Sequence, residues 1–357
     1  MIYYALAAIF PLIVWFLYDY IGKVNKLDEK GKEKLRKQLV FLAALPIFLL
    51  FVFRYKTVGP DTIGYVKFFQ STVRQYSFQQ LVVEGLMRSE IGYRLYVKLI
   101  SLFTKNYTIY FIINGIVIFG TLIRFSLKYT KNPFVFFFLF ITLGTYSFIE
   151  TGLRQALAMS ICLWAVDFIK DKKPIRFILL VAFAYFFHKS AIIFLLTYPL
   201  CQIKKLDWIT FAYIILTVFL AVNFTAFQET LNSWLGYDYS IEETGNGGIF
   251  LLFISVMAVY TIYIMYNKPK NELEGQSVIV NLAMLTVVFW VLRLISRTAE
   301  RISYYFIFGL YTYFSQAVNY DKDKLSSLLK WLLILGCLVL FVYRNVGIGY
   351  LFFWQGV

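Results

Sequence analysis

The chain has 357 residues, 60% of them hydrophobic and only 15% charged, with a formal net charge of +15. A soluble domain keeps about a quarter of its residues charged, so the composition excludes a soluble globular protein. It points instead to an all-α polytopic integral membrane protein with a single integral domain over residues 1–357. The excess of Lys and Arg lies in short loops between apolar runs, as cytoplasmic loops of membrane proteins require, and this argues against nucleic acid as a partner.

Hydropathy predicts about twelve spans in chain order. Residues 2–21 form the first; no basic leader or cleavage site precedes it, so it is read as a retained helix. The stretch Lys23–Lys37 is strongly basic and reads as a cytoplasmic loop, followed by a span at 38–53. A polar outer loop covers 54–105. Within it, residues 91–104 are apolar on one side but carry Arg94 and Lys98 at helical spacing, which predicts an amphipathic helix lying on or re-entering the outer surface. Further spans are predicted at 107–125, 133–149, 153–169, 174–188, 189–203 and 208–224. A second outer loop, 225–248, is acidic and turn-rich. Spans at 249–267, 277–294, 301–319 and 325–343 complete the set. The basic turns Lys128–Lys131, Lys170–Arg176, Lys204–Lys205, Lys268–Lys270 and Lys322–Lys324 then all fall on the cytoplasmic side. The three cysteines, Cys162, Cys201 and Cys337, lie in or beside apolar runs with no metal spacing and read as small buried hydrophobes.

On this topology Arg54, Asp61, Arg88, Glu90, Glu150, Arg154, His188, Arg293, Arg297, Glu300 and Arg301 all gather at the outer side. Arginines are scarce there, and a group of them calls for an anionic partner, or else they anchor helix ends to lipid headgroups. Arg293, Arg297 and Arg301 are spaced by four, giving one stripe on a continuous helix. Alternatively, Ser296 or Thr298 caps a new helix whose N-terminus adds its own positive end. Glu150 and Arg154 stand four apart, as do Glu90 and Arg94, so each acid is either a functional carboxylate or a helix-end ion pair. His188, the sole histidine, is a base, a hydrogen-bond donor to phosphate, or a histidine satisfied at a helix end. Asp61 lies in a Gly/Pro turn and is either a base or a turn former. One histidine and scattered acids give no metal-ligand spacing.

The order Arg54-x-x-x-Val58-Gly59-x-Asp61-Thr62-x-x-Tyr65, Glu90-x-Gly92-Tyr93, Leu153-Arg154-Gln155-x-Leu157-Ala158, Phe187-His188-Lys189-Ser190-Ala191 and Arg301-x-x-Tyr304-Tyr305-Phe306 resembles the EpsG family. These are Wzy-like polysaccharide polymerases of bacterial capsule, exopolysaccharide and O-antigen pathways. Pro60 departs from the small or polar residue expected beside Asp61.

The resemblance implies a GT-C-like membrane glycosyltransferase of the bacterial cytoplasmic membrane, active on its outward face and needing no cofactor. Its donor and acceptor would be oligosaccharide repeat units on undecaprenyl diphosphate, with a flippase and a chain-length regulator of the same pathway as further partners. Arg154, Arg301, Arg297, Arg54 and Arg293 would hold the diphosphate, since guanidinium grips phosphate oxygens bidentately. His188, Asp61, Glu90 and Glu150 compete for the base role. Tyr65, Tyr93, Tyr304 and Tyr305 would stack on sugars or anchor at the interface. Direct displacement at the anomeric carbon would invert it. A glycan ligase or other membrane transferase would share this chemistry. A transporter of lipid-linked sugar would instead place its polar groups at the midplane.

Overall fold

A computed structural model describes residues 1–83, 90–204, 206–235, 247–266, 276–320, 323–345 and 347–356. Arg88, the middle of the 225–248 loop, the Lys268–Lys270 turn and Lys322 lie outside the described residues. The described residues are almost entirely helical; one antiparallel bridge, Arg54 with Phe352, is the exception. Four helices are long and apolar enough to cross a membrane, or six if each of two bent pairs is one span. The protein is an integral membrane protein. Several others of the expected spans are shorter. Pro174–Tyr185 has 12 residues and is followed by 3-10 turns over Lys189–Leu196 rather than a second full helix. Twelve residues rise about 18 Å, against about 30 Å of bilayer core.

The chain divides into two compact units. The first comprises Met1–Trp164, Ala182–His188 and Leu335–Val357. Its opening helices are Ile2–Val24 and Glu29–Val52. The latter begins well before the expected span, inside the basic stretch read as a loop. Asp28 caps it by accepting from the Gly31 amide at 2.7 Å, and Glu29–Lys32, Glu33–Arg36 and Glu33–Lys37 pairs line its first turns. A capped N-terminus and ion pairs three or four apart make a charged segment helical.

The helix Tyr107–Tyr129 is capped by Asn106. Pro133–Thr142 follows, with every residue buried, and it bends by 62° into Thr145–Thr151. The bend has two causes in sequence. Gly144 takes a left-handed φ of 86°, and Arg344 donates to the freed Leu143 carbonyl at 3.3 Å. A helix broken in an apolar setting must have its carbonyls satisfied from elsewhere, and here a side chain does it.

The expected amphipathic helix is Ile91–Phe103, but its basic face turns inward. Arg94 and Lys98 are buried, and the Lys98 ammonium donates to the Val73 carbonyl at 3.2 Å. The irregular turns over Phe68–Gln75 leave carbonyls without helical partners, and Lys98 takes up that role.

The second unit comprises Ala165–Val181 and Lys189–Ile334. Its centre is the pair Ser277–Leu292 and Ile307–Ala317. They approach closely at Gly309, where a Cβ would stand 2.3 Å from the Leu282 Cβ and 2.8 Å from the Ala283 nitrogen. Small residues permit such backbone approach between membrane helices. Gly309→Ala is therefore expected to destabilise the protein by about 1–3 kcal/mol through overpacking, read as a lowered melting temperature in detergent; an unchanged transition would mean the helices part freely. The expected span 301–319 is interrupted, since Arg297–Ser303 and Ile307–Ala317 are separate helices.

Candidate functional site

In the first unit the chain arranges two polar centres. The helix Thr145–Thr151 stops at Gly152, whose amide donates to the Phe148 carbonyl at 2.7 Å, and a new helix, Leu153–Lys170, begins directly. Glu150 and Arg154 therefore sit on different helices, and the i,i+4 pair, one of the two readings their spacing allows, is not formed. Arg154 instead donates to Glu90 at 2.6 Å. Glu90 occupies the N-cap position of Ile91–Phe103 yet caps no amide of that helix with its side chain; its carboxylate serves Arg154 and also faces Arg94. The Glu90 side chain is 4% exposed and that of Arg154 is 23% exposed, so the acid is the buried support and the guanidinium the accessible end.

Gly92 explains part of that placement. Its amide donates to the Phe186 carbonyl at 2.8 Å, and a Cβ at 92 would lie 2.7 Å from the same oxygen. The Glu90-x-Gly92 and Phe187-His188 motifs are thus joined by backbone contact that no side chain would permit. His188 is buried, with its amide bonded to the Ala184 carbonyl at 3.0 Å.

Arg154 also donates to the hydroxyl of half-buried Tyr65. Enclosure by protein raises the Tyr65 phenol above its ordinary range, and the guanidinium offsets part of that rise. The Tyr65 ring meets Tyr93 edge-on at 6.0 Å, and the Tyr93 hydroxyl pairs with that of Tyr110 at 2.7 Å. Tyr93 is buried. Asp61 is exposed beside Tyr65, on a turn that Gly59 makes with φ 89°. Thr62 secures this turn by donating to the Val58 carbonyl at 2.6 Å.

The second centre surrounds Glu150. Its carboxylate accepts from the Tyr146 hydroxyl at 2.9 Å and the Tyr4 hydroxyl at 3.2 Å. Arg54 supplies the opposing charge. That arginine has no exposed surface; it lies 4.2 Å from the Phe51 ring centre and 4.1 Å from that of Phe111, and one nitrogen donates to the Phe51 carbonyl. Its remaining nitrogens, Nε and Nη2, have no hydrogen-bond partner among the described residues. Beside this centre lies a cavity of about 550 Å³, walled by Tyr4, Glu150 and residues from 57–60, 147–151 and 348–351. The 348–351 wall is held by the Tyr350 hydroxyl on the Leu50 carbonyl at 2.7 Å, and by the Tyr55 amide on the Leu351 carbonyl at 2.8 Å. Tyr4, Tyr146 and the 348–351 segment were not indicated by sequence. Tyr146, one helical turn before Glu150, is the one of these with a local signal.

In the second unit Arg293, Arg297 and Arg301 do not form one stripe. Ser277–Leu292 ends, and Ser296 caps Arg297–Ser303 by accepting from the Thr298 amide at 3.2 Å. Buried Arg293 donates to Glu300 at 2.8 Å, and Tyr304 donates to the same carboxylate at 3.3 Å. Arg297 and Arg301 are exposed, one turn apart on one face. Tyr304 and Tyr305 are buried, with the Tyr305 hydroxyl 3.0 Å from that of Ser190. In neither unit do three His, Cys, Asp or Glu side chains among the described residues group to hold a metal.

No curated protein and no solved structure matches the chain. Residues 37–354 match the EpsG family, and the match takes in both centres of the first unit, apart from Tyr4, and the arginine helix of the second. The chain belongs to the EpsG family of Wzy-like polysaccharide polymerases.

Proposed function

We propose that this protein joins oligosaccharide repeat units carried on undecaprenyl diphosphate, on the extracytoplasmic face of a bacterial membrane. It is an inverting, metal-independent glycosyltransferase with a GT-C-like helical architecture. The observation that carries this reading is the Arg154 centre. A partly exposed guanidinium is fixed by a buried carboxylate and a tyrosine hydroxyl, in a protein whose composition is otherwise apolar.

The leaving group of such a transfer is a lipid diphosphate, and its developing charge is the main thing to stabilise. A guanidinium already oriented by its neighbours does this without reorganising during the reaction. Arg154 fills that role in the first unit. Arg297 and Arg301 offer exposed guanidinium groups in the second, with Arg293 holding Glu300. Arg54 acts as the counter-charge of Glu150 rather than as a ligand of phosphate. The acceptor hydroxyl needs a base, and Asp61, Glu90, Glu150 and His188 are the groups available.

The test supplies purified protein in nanodiscs with a lipid-diphosphate repeat unit. The expected product is a ladder of elongated glycans with release of free lipid diphosphate. Transfer to an unrelated acceptor without a ladder would make the protein a ligase. Movement of the lipid across the bilayer without turnover would make it a transporter.

A further inference from the structure

We propose that the cavity of the first unit is the subsite for the acceptor saccharide, and that Glu150 receives the proton of the attacking hydroxyl. The proposal rests on the polymerase reading. At about 550 Å³ the cavity falls within the range of small-molecule sites, about 300–1,000 Å³. Its lining identifies the ligand class by charge. Among the described residues that wall it, none is Lys or Arg, and the sole ionisable acid is Glu150. A phosphate entering here would meet a carboxylate with no cation beside it on the wall. A neutral ligand that donates hydrogen bonds would be welcomed.

The remaining wall suits a polyol. Tyr4, Thr57, Ser147 and Thr151 bring hydroxyls, which both donate and accept, while Val58, Pro60, Ile348 and Leu351 bring apolar surface. A sugar ring presents the same mixture, with hydroxyls on its rim and C–H groups on its faces. Glu150 has capacity left for it. An ionised carboxylate has about four acceptor positions, and among the described residues the hydroxyls of Tyr4 and Tyr146 draw on part of that. Arg54, from outside the cavity wall, sets a positive charge opposite the carboxylate. The anion-binding and hydroxyl-binding roles thus fall to different residues, Arg154 for the first and Glu150 for the second.

In the reaction the acceptor O–H proton passes to the Glu150 carboxylate. The oxygen forms its bond to the donor's anomeric carbon as the bond from that carbon to the diphosphate oxygen breaks. The lipid diphosphate leaves with the bonding pair.

The test measures binding first, so that it can be read with or without turnover. Full-length protein in nanodiscs is titrated by calorimetry with a neutral repeat-unit oligosaccharide released from its lipid, and separately with sugar-free undecaprenyl diphosphate. Ser147→Trp, and Thr57→Trp at the exposed rim, fill the cavity and are expected to weaken saccharide binding at least tenfold while leaving lipid diphosphate binding intact. Glu150→Gln is expected to weaken it by about tenfold, as loss of a hydrogen bond to a charged group does, and to stop transfer. Wild-type saccharide affinity in the folded Trp variants would overturn the proposal. So would loss of lipid diphosphate binding in those variants, which would make the cavity a headgroup site. A wild-type protein that builds no ladder would overturn the polymerase reading, and the same titration would still decide the cavity.

Discussion

Arg154→Ala should lower chain elongation by about 10²–10³-fold, the loss that follows when one preorganised donor is removed from a developing anion. Alanine also strips a buried carboxylate of a partner, because Glu90 receives the Arg154 guanidinium at 2.6 Å and is itself nearly enclosed. Breaking such a pair is destabilising in its own right. Arg154→Lys separates the two effects. Lysine keeps a positive charge near Glu90 but loses the planar fork that matches two phosphate oxygens. It is expected to melt within a few degrees of wild type, in keeping with a charge that stays paired, while elongation falls by about tenfold or more. A lysine variant that builds wild-type chain lengths would reduce Arg154 to a structural partner of Glu90. Arg301→Ala gives the companion measurement in the second unit. Arg301 is exposed, so its loss should spare the fold and lower elongation.

The largest effect on stability should come from Arg54. A guanidinium with no accessible surface, enclosed by two phenyl rings, is an expensive group to bury. Its opposing charge is Glu150, also buried. Arg54→Met keeps much of the volume but removes the charge opposite that carboxylate, to which no hydrogen bond joins it, and a cost of about 3 kcal/mol is expected. Arg54→Met with Glu150→Gln removes both charges and should recover much of that loss, because neither charge is then left buried without its opposite. Melting curves of the two single variants and the double variant in the same detergent give the coupling directly. Additive losses would show that the two charges do not act on each other.

These centres were legible in sequence to different degrees, for physical reasons. Arginine and acid in an apolar chain stand out by cost alone, so Arg154, Glu90 and Glu150 could be singled out from their type and position. Ser296 was readable as a cap because capping needs only a local side chain and amide. Sequence left Glu150 as either a functional carboxylate or the i,i+4 partner of Arg154; the pair is not formed, because spacing by four implies contact only where the helix is unbroken, and Gly152 breaks it. Arg54 was visible as a charge, but its enclosure by Phe51 and Phe111 depends on packing between helices. Tyr4 and the 348–351 wall reach Glu150 through contacts that no local pattern encodes. The basic stretch after Lys23 was also misassigned, since hydropathy registers charge and not the cap and ion pairs that make Glu29–Val52 helical from its start.

The short backbone pairing between the segments around Arg54 and Phe352 bears on the order in which the fold forms. The hydrogen bond from Tyr350 to Leu50 that accompanies it links residues 300 positions apart. Closing so long a loop costs chain entropy that local contacts never incur, and such contacts form late. The apolar helices can insert and pair with near neighbours before that closure takes place. A chain in that intermediate condition has its membrane segments in position but lacks one wall of the Glu150 cavity. If that cavity is the acceptor subsite, such a chain would have no place for the sugar until the closure is made.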